Sequence, residues 1–323
     1  MARRTIPRKM SDALKAYERE ATDILQAFIG TIEAKPAPPM LYHYTNGDGL
    51  KGIIESGKLW FTDIFGLNDP SELRHGLSVA INILKSKTTA ARPEIGTFAS
   101  LLDRFDVDGG IEKVGHFFIC CFSADGDDLG QWRAYGDNGR GFALGFETAA
   151  LEEAFCRKNG KPIPQHSTFH LTYDDRQLST LQTSLADLID PLISLPRRTG
   201  VRGDALHAYM MDLLVYHSMN VIRGVMFFKH EGYRNESEYR FQQLFRYDRP
   251  APEVKYRRRP YSLIRYREFD WRKNSGHALK QIIVGPAADR AKATKFANDC
   301  LSAYHEKPPE VEIGYSAIPY RAG

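Results

Sequence analysis

Glu236 and Glu238 stand one residue apart in the stretch Tyr233-Arg-Asn-Glu-Ser-Glu-Tyr-Arg-Phe241. Side chains alternate between the two faces of a strand. A strand over this stretch therefore puts Glu236, Glu238 and Arg240 on one face and Ser237, Tyr239 and Phe241 on the other. Two carboxylates one pleat apart, beside an arginine, can bind a cation or stabilise a positive charge that develops during a reaction. The plainer reading is a solvated edge strand laced by Glu–Arg pairs, which contribute little to stability.

Other groups bear on the choice. His43 falls in Leu41-Tyr-His-Tyr-Thr45, a first strand with Tyr42 and Tyr44 on the face opposite His43. Ser123 ends His116-Phe-Phe-Ile-Cys-Cys-Phe-Ser123, which reads as a buried strand. Asp125-Gly-Asp-Asp128 is an acidic turn whose spacing does not fit an EF-hand loop. A metal-dependent nuclease built on it would require a divalent ion. Residues 255–273 interleave Arg257, Arg258, Arg259, Arg265, Arg267, Arg272 and Lys273 with Tyr256, Tyr261, Tyr266 and Trp271. Such a segment can hold a nucleic acid; the plainer reading is a solvated basic loop or an amphipathic strand pair.

The elements that must position these groups follow from periodicity and punctuation. Leu14, Tyr17, Ala21, Ile24, Leu25, Phe28 and Ile32 recur at helical spacing, predicting a helix over 11–34 capped by Ser11 or Asp12. Its stripe packs on the body of the protein by default, with a homodimer as the other use. Residues 1–39 thus form a basic tail, an amphipathic helix and a stiff linker at Pro36, Pro38 and Pro39. Residues 40–323 form a single α+β domain of catalytic type. Within it, a short helix should stop at Gly57, and Asp69, Pro70 and Glu72 start another that runs to about Lys87. A further helix covers 93–105, and Gln131 to Tyr135 form one helical turn. Asp137 to Gly141 form a hairpin turn, and His170 to Tyr173 a strand. A helical insert covers about 177–225. Gln281 to Gly285 and Val311 to Tyr315 read as strands around a helix at 287–305.

Composition excludes some classes. Hydrophobic residues make up 42% of the 323 and charged residues 26%, ordinary for a globular protein. A net charge of +4 is too mild to require a polyanionic partner. Cys120, Cys121, Cys156 and Cys300 show no metal-ligand spacing, so reduced thiols in a cytoplasmic protein and no metal are expected. No apolar run approaches the ~20 residues that span a bilayer, so no membrane partner is expected, and the N-terminus lacks an apolar signal core. Gly139 and Gly141 do not make a dinucleotide fingerprint.

The chain resembles a bacterial family known as domain of unknown function 2971. The resemblance spans about residues 40–290. It rests on Leu41-Tyr-His-Tyr-Thr45, Leu59-Trp60, Leu67-Asn-Asp-Pro70 with Glu72, Cys121-Phe-Ser123, Trp132 with Tyr135, Gly141, Glu236-Ser-Glu-Tyr-Arg240 and Ile283 to Gly285. That family in turn is similar to the ADP-ribosyltransferase superfamily. In that superfamily a split, mixed sheet carries an Arg or His, a Ser or Tyr, and a Glu often preceded two residues earlier by Glu or Gln. His43, Ser123 and the Glu236/Glu238 pair fall in that order. Ser123 stands alone, without a Ser-Thr-Ser run, and the spacing to Glu238 is long enough for the helical insert.

The resemblance implies an NAD-dependent ADP-ribosyltransferase-like enzyme that uses NAD as substrate, needs no metal and modifies a protein or nucleic-acid acceptor, in a toxin or phage-defence role. By resemblance Glu238 stabilises the ribosyl cation, and Glu236 orients or deprotonates the acceptor. His43 holds the adenosine ribose, Ser123 supports the glutamate, and Tyr44 or Tyr135 stacks on nicotinamide. The rival reading is a non-catalytic nucleic-acid-binding module that uses the segment 255–273.

Overall fold

A computed structural model of the chain describes residues 7–67, 71–107, 110, 114–246, 250–275, 277–304 and 310–320. Helix α1 (Arg8–Glu33) leads through the proline linker to β1 (Met40–Thr45), α2 (Gly47–Ser56) and β2 (Lys58–Asp63). Helices α3 (Ser71–Ser86) and α4 (Pro93–Val107) precede β3 (Gly115–Ser123), α5 (Leu129–Ala134), β4 (Phe142–Glu147) and α6 (Thr148–Cys156). A small hairpin, β5 (Arg157–Lys158) and β6 (Lys161–Pro162), leads to β7 (His166–His170). Helices α7 (Asp175–Ile193), α8 (Leu195–Thr199) and α9 (Gly203–Val225) follow. The chain then forms β8 (Glu238–Arg246), the hairpin β9 (Lys255–Arg259) and β10 (Ser262–Asp270), and α10 (Trp271–Ser275). It closes with β11 (Leu279–Val284), α11 (Arg290–Tyr304) and β12 (Glu312–Tyr315).

The protein is α+β, with one large mixed sheet in which β11 and β12 pair parallel and the other pairs are antiparallel. The two faces of β3 show how it is covered. Phe117 and Ile119 enter the core built with α1, α3, α4, α7 and α9, whereas Phe118, Cys120 and Phe122 enter the core built with α2, α6, α10 and α11. A strand buried on both sides reads as a continuous apolar run, as this one does.

The N-terminal helix is not an appendage. Leu14, Tyr17, Ala21, Leu25 and Ile32 are buried in the same core as Leu185, Ile189, Leu213 and Val221 of the insert, so the stripe is not available to a second copy. Each of the leucines and the isoleucine of this helix contributes roughly 1.5–3 kcal/mol by burial. The helix starts one turn earlier than its polar cap suggests: Pro7 takes the N-cap position, and Asp12 pairs instead with Arg8 and Lys15.

Gly57 ends α2 in the left-handed conformation (φ 65°), as its type requires. The expected cap at Asp69 and Pro70 lies outside the described residues. Two local expectations are corrected. β4 pairs with β1 and β11, so Asp137 to Gly141 do not close a hairpin; the helical α5 precedes them, and Asp137, Asn138 and Gly139 all carry positive φ. Residues 166–170, rather than 170–173, form the strand beside β8, and Thr172 makes only an isolated bridge to Phe228.

Candidate functional site

A fork in the sheet creates the site. One edge of β3 pairs with β8 along its whole length, from Gly115↔Arg246 to Ser123↔Glu238. The other edge is shared by two strands that diverge. β1 holds only its end (Tyr42↔Ser123), and β2 holds Ile119 and Phe118. Between them Cys120, Cys121 and Phe122 have no ladder partner on that edge among the described residues, and a cleft of about 620 Å³ opens there. That is a size suited to a small-molecule ligand. His43 lies in the fork and its Nδ1 is 3.1 Å from the Cys121 carbonyl oxygen. A carbonyl only accepts, so Nδ1 carries the proton and Nε2 is an acceptor. Burial holds the imidazole below its ordinary range, against the opposing pull of that hydrogen bond.

Four charged side chains converge at the cleft floor. Lys229 Nζ lies 2.5 Å from Glu236 Oε2 and 2.9 Å from Glu238 Oε2. Arg240 Nε donates to Glu238 Oε1 at 2.6 Å, and its Nη1 donates to the Met226 carbonyl. Glu238 is only 5% exposed, which rules out the solvated edge strand, and β8 is an interior strand between β3 and β7. Burial alone would raise the Glu238 pKa. The charges of Arg240 and Lys229 outweigh it and hold the carboxyl at about 2. Cys121 hydrogen-bonds this carboxylate, and burial together with the Glu238 charge keeps the thiol well above its ordinary range. A thiol so protonated is no nucleophile.

The backbone before Glu238 departs from a strand. Residues Glu231–Glu236 form a 3₁₀ turn, and Ser237 adopts a left-handed conformation (φ 45°, ψ 47°). Only from Glu238 onward does the alternation hold, with Arg240 on the carboxylate's face and Tyr239 and Phe241 in the opposite core. Glu236 therefore reaches Lys229 from a turn, not from a pleat. Ser123 steadies this break: its Oγ donates to the Glu236 carbonyl at 2.9 Å and accepts from Asp125 N at 3.1 Å. The Tyr173 hydroxyl accepts from the backbone N–H of Glu238 at 3.1 Å.

The two candidate stacking tyrosines part company. Tyr135 lines the cleft with 41% of its surface exposed, and burial of its hydroxyl, then the nearby Glu236, pushes the phenol up to about 12. Tyr44 packs edge-on against Trp132, donates to the Asp125 carbonyl and accepts from Asp128 N. It fixes the turn beside the cleft, and its ring is not open for stacking. Gly141 is required by close approach, since a Cβ there would collide with the Thr45 carbonyl oxygen.

The acidic turn is spent on structure. Asp125 Oδ1 accepts from Asp127 N, Asp127 accepts from Trp132 Nε1 and Ala317 N, and Asp128 caps α5 through Gln131 N. Among the described residues no cluster suited to a metal occurs. The basic segment splits. Arg265 pairs with Asp63, and Arg267 donates to Gln243 Oε1 and to the Glu253 carbonyl, so both are structural. Arg258 is exposed on the face of the hairpin away from the cleft, and Arg257 and Arg259 line the cleft. The pairing of β9 with β10 makes the segment a strand pair rather than a loop.

Lys229 escaped the reading of the sequence, although one cation among Phe227, Phe228 and the apolar end of α9 signals a buried charge in need of partners. Tyr173 escaped it too, and nothing local marks it.

An open-sheet α+β protein with a charged cleft is as far as the geometry alone defines the class. A family model described as protein of unknown function (DUF2971) matches residues 131–241, a stretch that includes Tyr135, Lys229, Glu236 and Glu238 and leaves out His43 and Ser123. No curated protein and no solved structure matches the chain. Among the described residues no helix is long and apolar enough to cross a membrane.

Proposed function

We propose that the cleft binds NAD and breaks its nicotinamide–ribose bond, passing ADP-ribose to an acceptor. The observation that carries this reading is Glu238, a carboxylate on the floor of a ligand-sized cleft, held ionised by Arg240 and Lys229. Loss of nicotinamide passes through an oxocarbenium-like state, the same physical problem as glycoside hydrolysis. A fixed negative charge beside the ribose lowers that barrier.

The remaining roles follow. The C1′–N bond breaks with its electron pair leaving on nicotinamide. The acceptor's nucleophilic atom then bonds to C1′, and its proton passes to Glu236, the more accessible carboxylate. The acceptor nitrogen of His43 suits a ribose hydroxyl, and Tyr135 offers an exposed ring to nicotinamide. Ser123 and Tyr173 act as positioning residues through the backbone around Glu238. The turn at Glu236–Ser237, pinned by Ser123, supports the same arrangement by bringing both carboxylates to one ammonium, that of Lys229.

The test is nicotinamide release from NAD by wild type and Glu238→Gln. Wild type should release it, and the variant should lose about 10²-fold or more in rate. Absence of any NAD binding by the wild-type protein would overturn the reading.

A further inference from the structure

The geometry points to a single-stranded nucleic acid as the partner that lies along the outer wall of the cleft, on the inward face of β2, β10 and β9. As an account of the acceptor this rests on the NAD-cleavage reading; as a binding site it stands on its own residues. Lys58, Trp60 and Thr62 alternate onto the cleft side of β2. Trp60 is 44% exposed although it sits in the sheet, and its ring is held 4.5 Å from Tyr266 on the neighbouring strand. A large ring fixed from behind and open in front is a stacking platform for a base, and stacking tolerates any base.

Beside that platform lie the cleft-facing arginines. Arg257 is half-buried, with Nη2 donating to Thr62 Oγ1 at 3.2 Å, and its buried Nε–H finds no acceptor among the described residues. Arg259 lines the cleft one pleat further along β9. Of the carboxylates on this wall, Glu268 is bridged by Lys58 at 2.6 Å and Lys255 at 3.0 Å, and Asp270, opposite Lys58 on the same face, accepts from Lys273 N, so the cations Lys58, Lys255, Arg257 and Arg259 outnumber them. The wall therefore presents positive charge with an aromatic face, and the carboxylates at the floor are matched by Lys229 and Arg240. An arginine-bearing protein acceptor would meet like charge at Arg257. A phosphate chain would meet the guanidinium groups that line the cleft while a base stacks on Trp60. At the end of this wall the β9–β10 turn presents a fully exposed Tyr261.

The test is fluorescence anisotropy of a fluorescein-labelled single-stranded dodecamer of mixed sequence, as DNA and as RNA, without NAD, so that it reads this wall independently of turnover. Wild type should bind with a strong salt dependence. Trp60→Ala should weaken binding about tenfold or more while Trp60→Phe retains most of it. The Arg257→Ala/Arg259→Ala pair should lower the log–log salt slope by about 1–2, whereas Arg258→Ala, on the other face, should change affinity less than about twofold. Failure of wild type to bind either strand, binding indifferent to Trp60→Ala and to the arginine pair, or tighter binding of a basic polypeptide would each overturn the proposal. Strand binding without nicotinamide release would instead count against the NAD reading and leave this wall in place.

Discussion

Asp125-Gly-Asp-Asp128 and Glu236-Ser-Glu238 meet at Ser123, whose hydroxyl accepts from Asp125 N and donates to the Glu236 carbonyl. As residue types both are short acidic stretches beside a buried strand. What answers each charge separates them. In the aspartate turn, carboxylate oxygens accept from backbone N–H groups and an indole, and the turn is built from those bonds. At the glutamate pair the partners are the side chains of Lys229 and Arg240, both buried at the cleft floor. Backbone donors make a carboxylate part of the scaffold. Buried side-chain cations keep it ionised beside a cavity, where its charge can act on a ligand.

Substitutions can break or sharpen that contrast. Lys229→Met should be the most damaging, because it leaves buried Glu238, and half-buried Glu236 beside it, with less compensation; breaking such a group costs about 3–5 kcal/mol, read by chemical denaturation. Acid should come next. Glu238 is held at about 2, below its ordinary 4.5, so its contribution is complete above that ordinary value and is lost as pH falls through about 2. Denaturation midpoints against pH should fall along this limb in wild type and flatten in Glu238→Gln. Asp128→Ala, which removes the α5 cap, should cost about 1 kcal/mol. Asp125→Asn keeps an oxygen for Asp127 N and should stay within about 0.5 kcal/mol, with no change in melting temperature on adding a divalent ion. A large loss in Asp125→Asn would show that the turn depends on charge and would undo the contrast.

Much of the scaffold was legible because its causes are local. Gly57 stops α2, the prolines at 36, 38 and 39 make the linker, and the apolar spacing of 177–225 describes the helices found there. The Glu238–Arg240 face was legible for the same reason, since alternation is a local rule. Three features were not. The left-handed Ser237 follows a carbonyl that Ser123 holds from another strand, and nothing in its own dipeptides demands it. Lys229 belongs to the site only because the bridge between Thr172 and Phe228 brings the segment after α9 alongside β8. The fork arises from where β1 and β2 stop pairing with β3, a property of three segments far apart in sequence. Tyr44 shows the converse: its type suggested stacking, and its surroundings turned it into a brace.

The most direct test of the claim that the fork is a ligand site is hydrogen–deuterium exchange of the full chain with and without NAD. Protection confined to residues 42–49, 58–62, 119–123, 131–135 and 229–240, which border the cleft, is the result expected. Unchanged exchange there at saturating NAD, or protection confined to the helical layer of α1, α7 and α9, would contradict it.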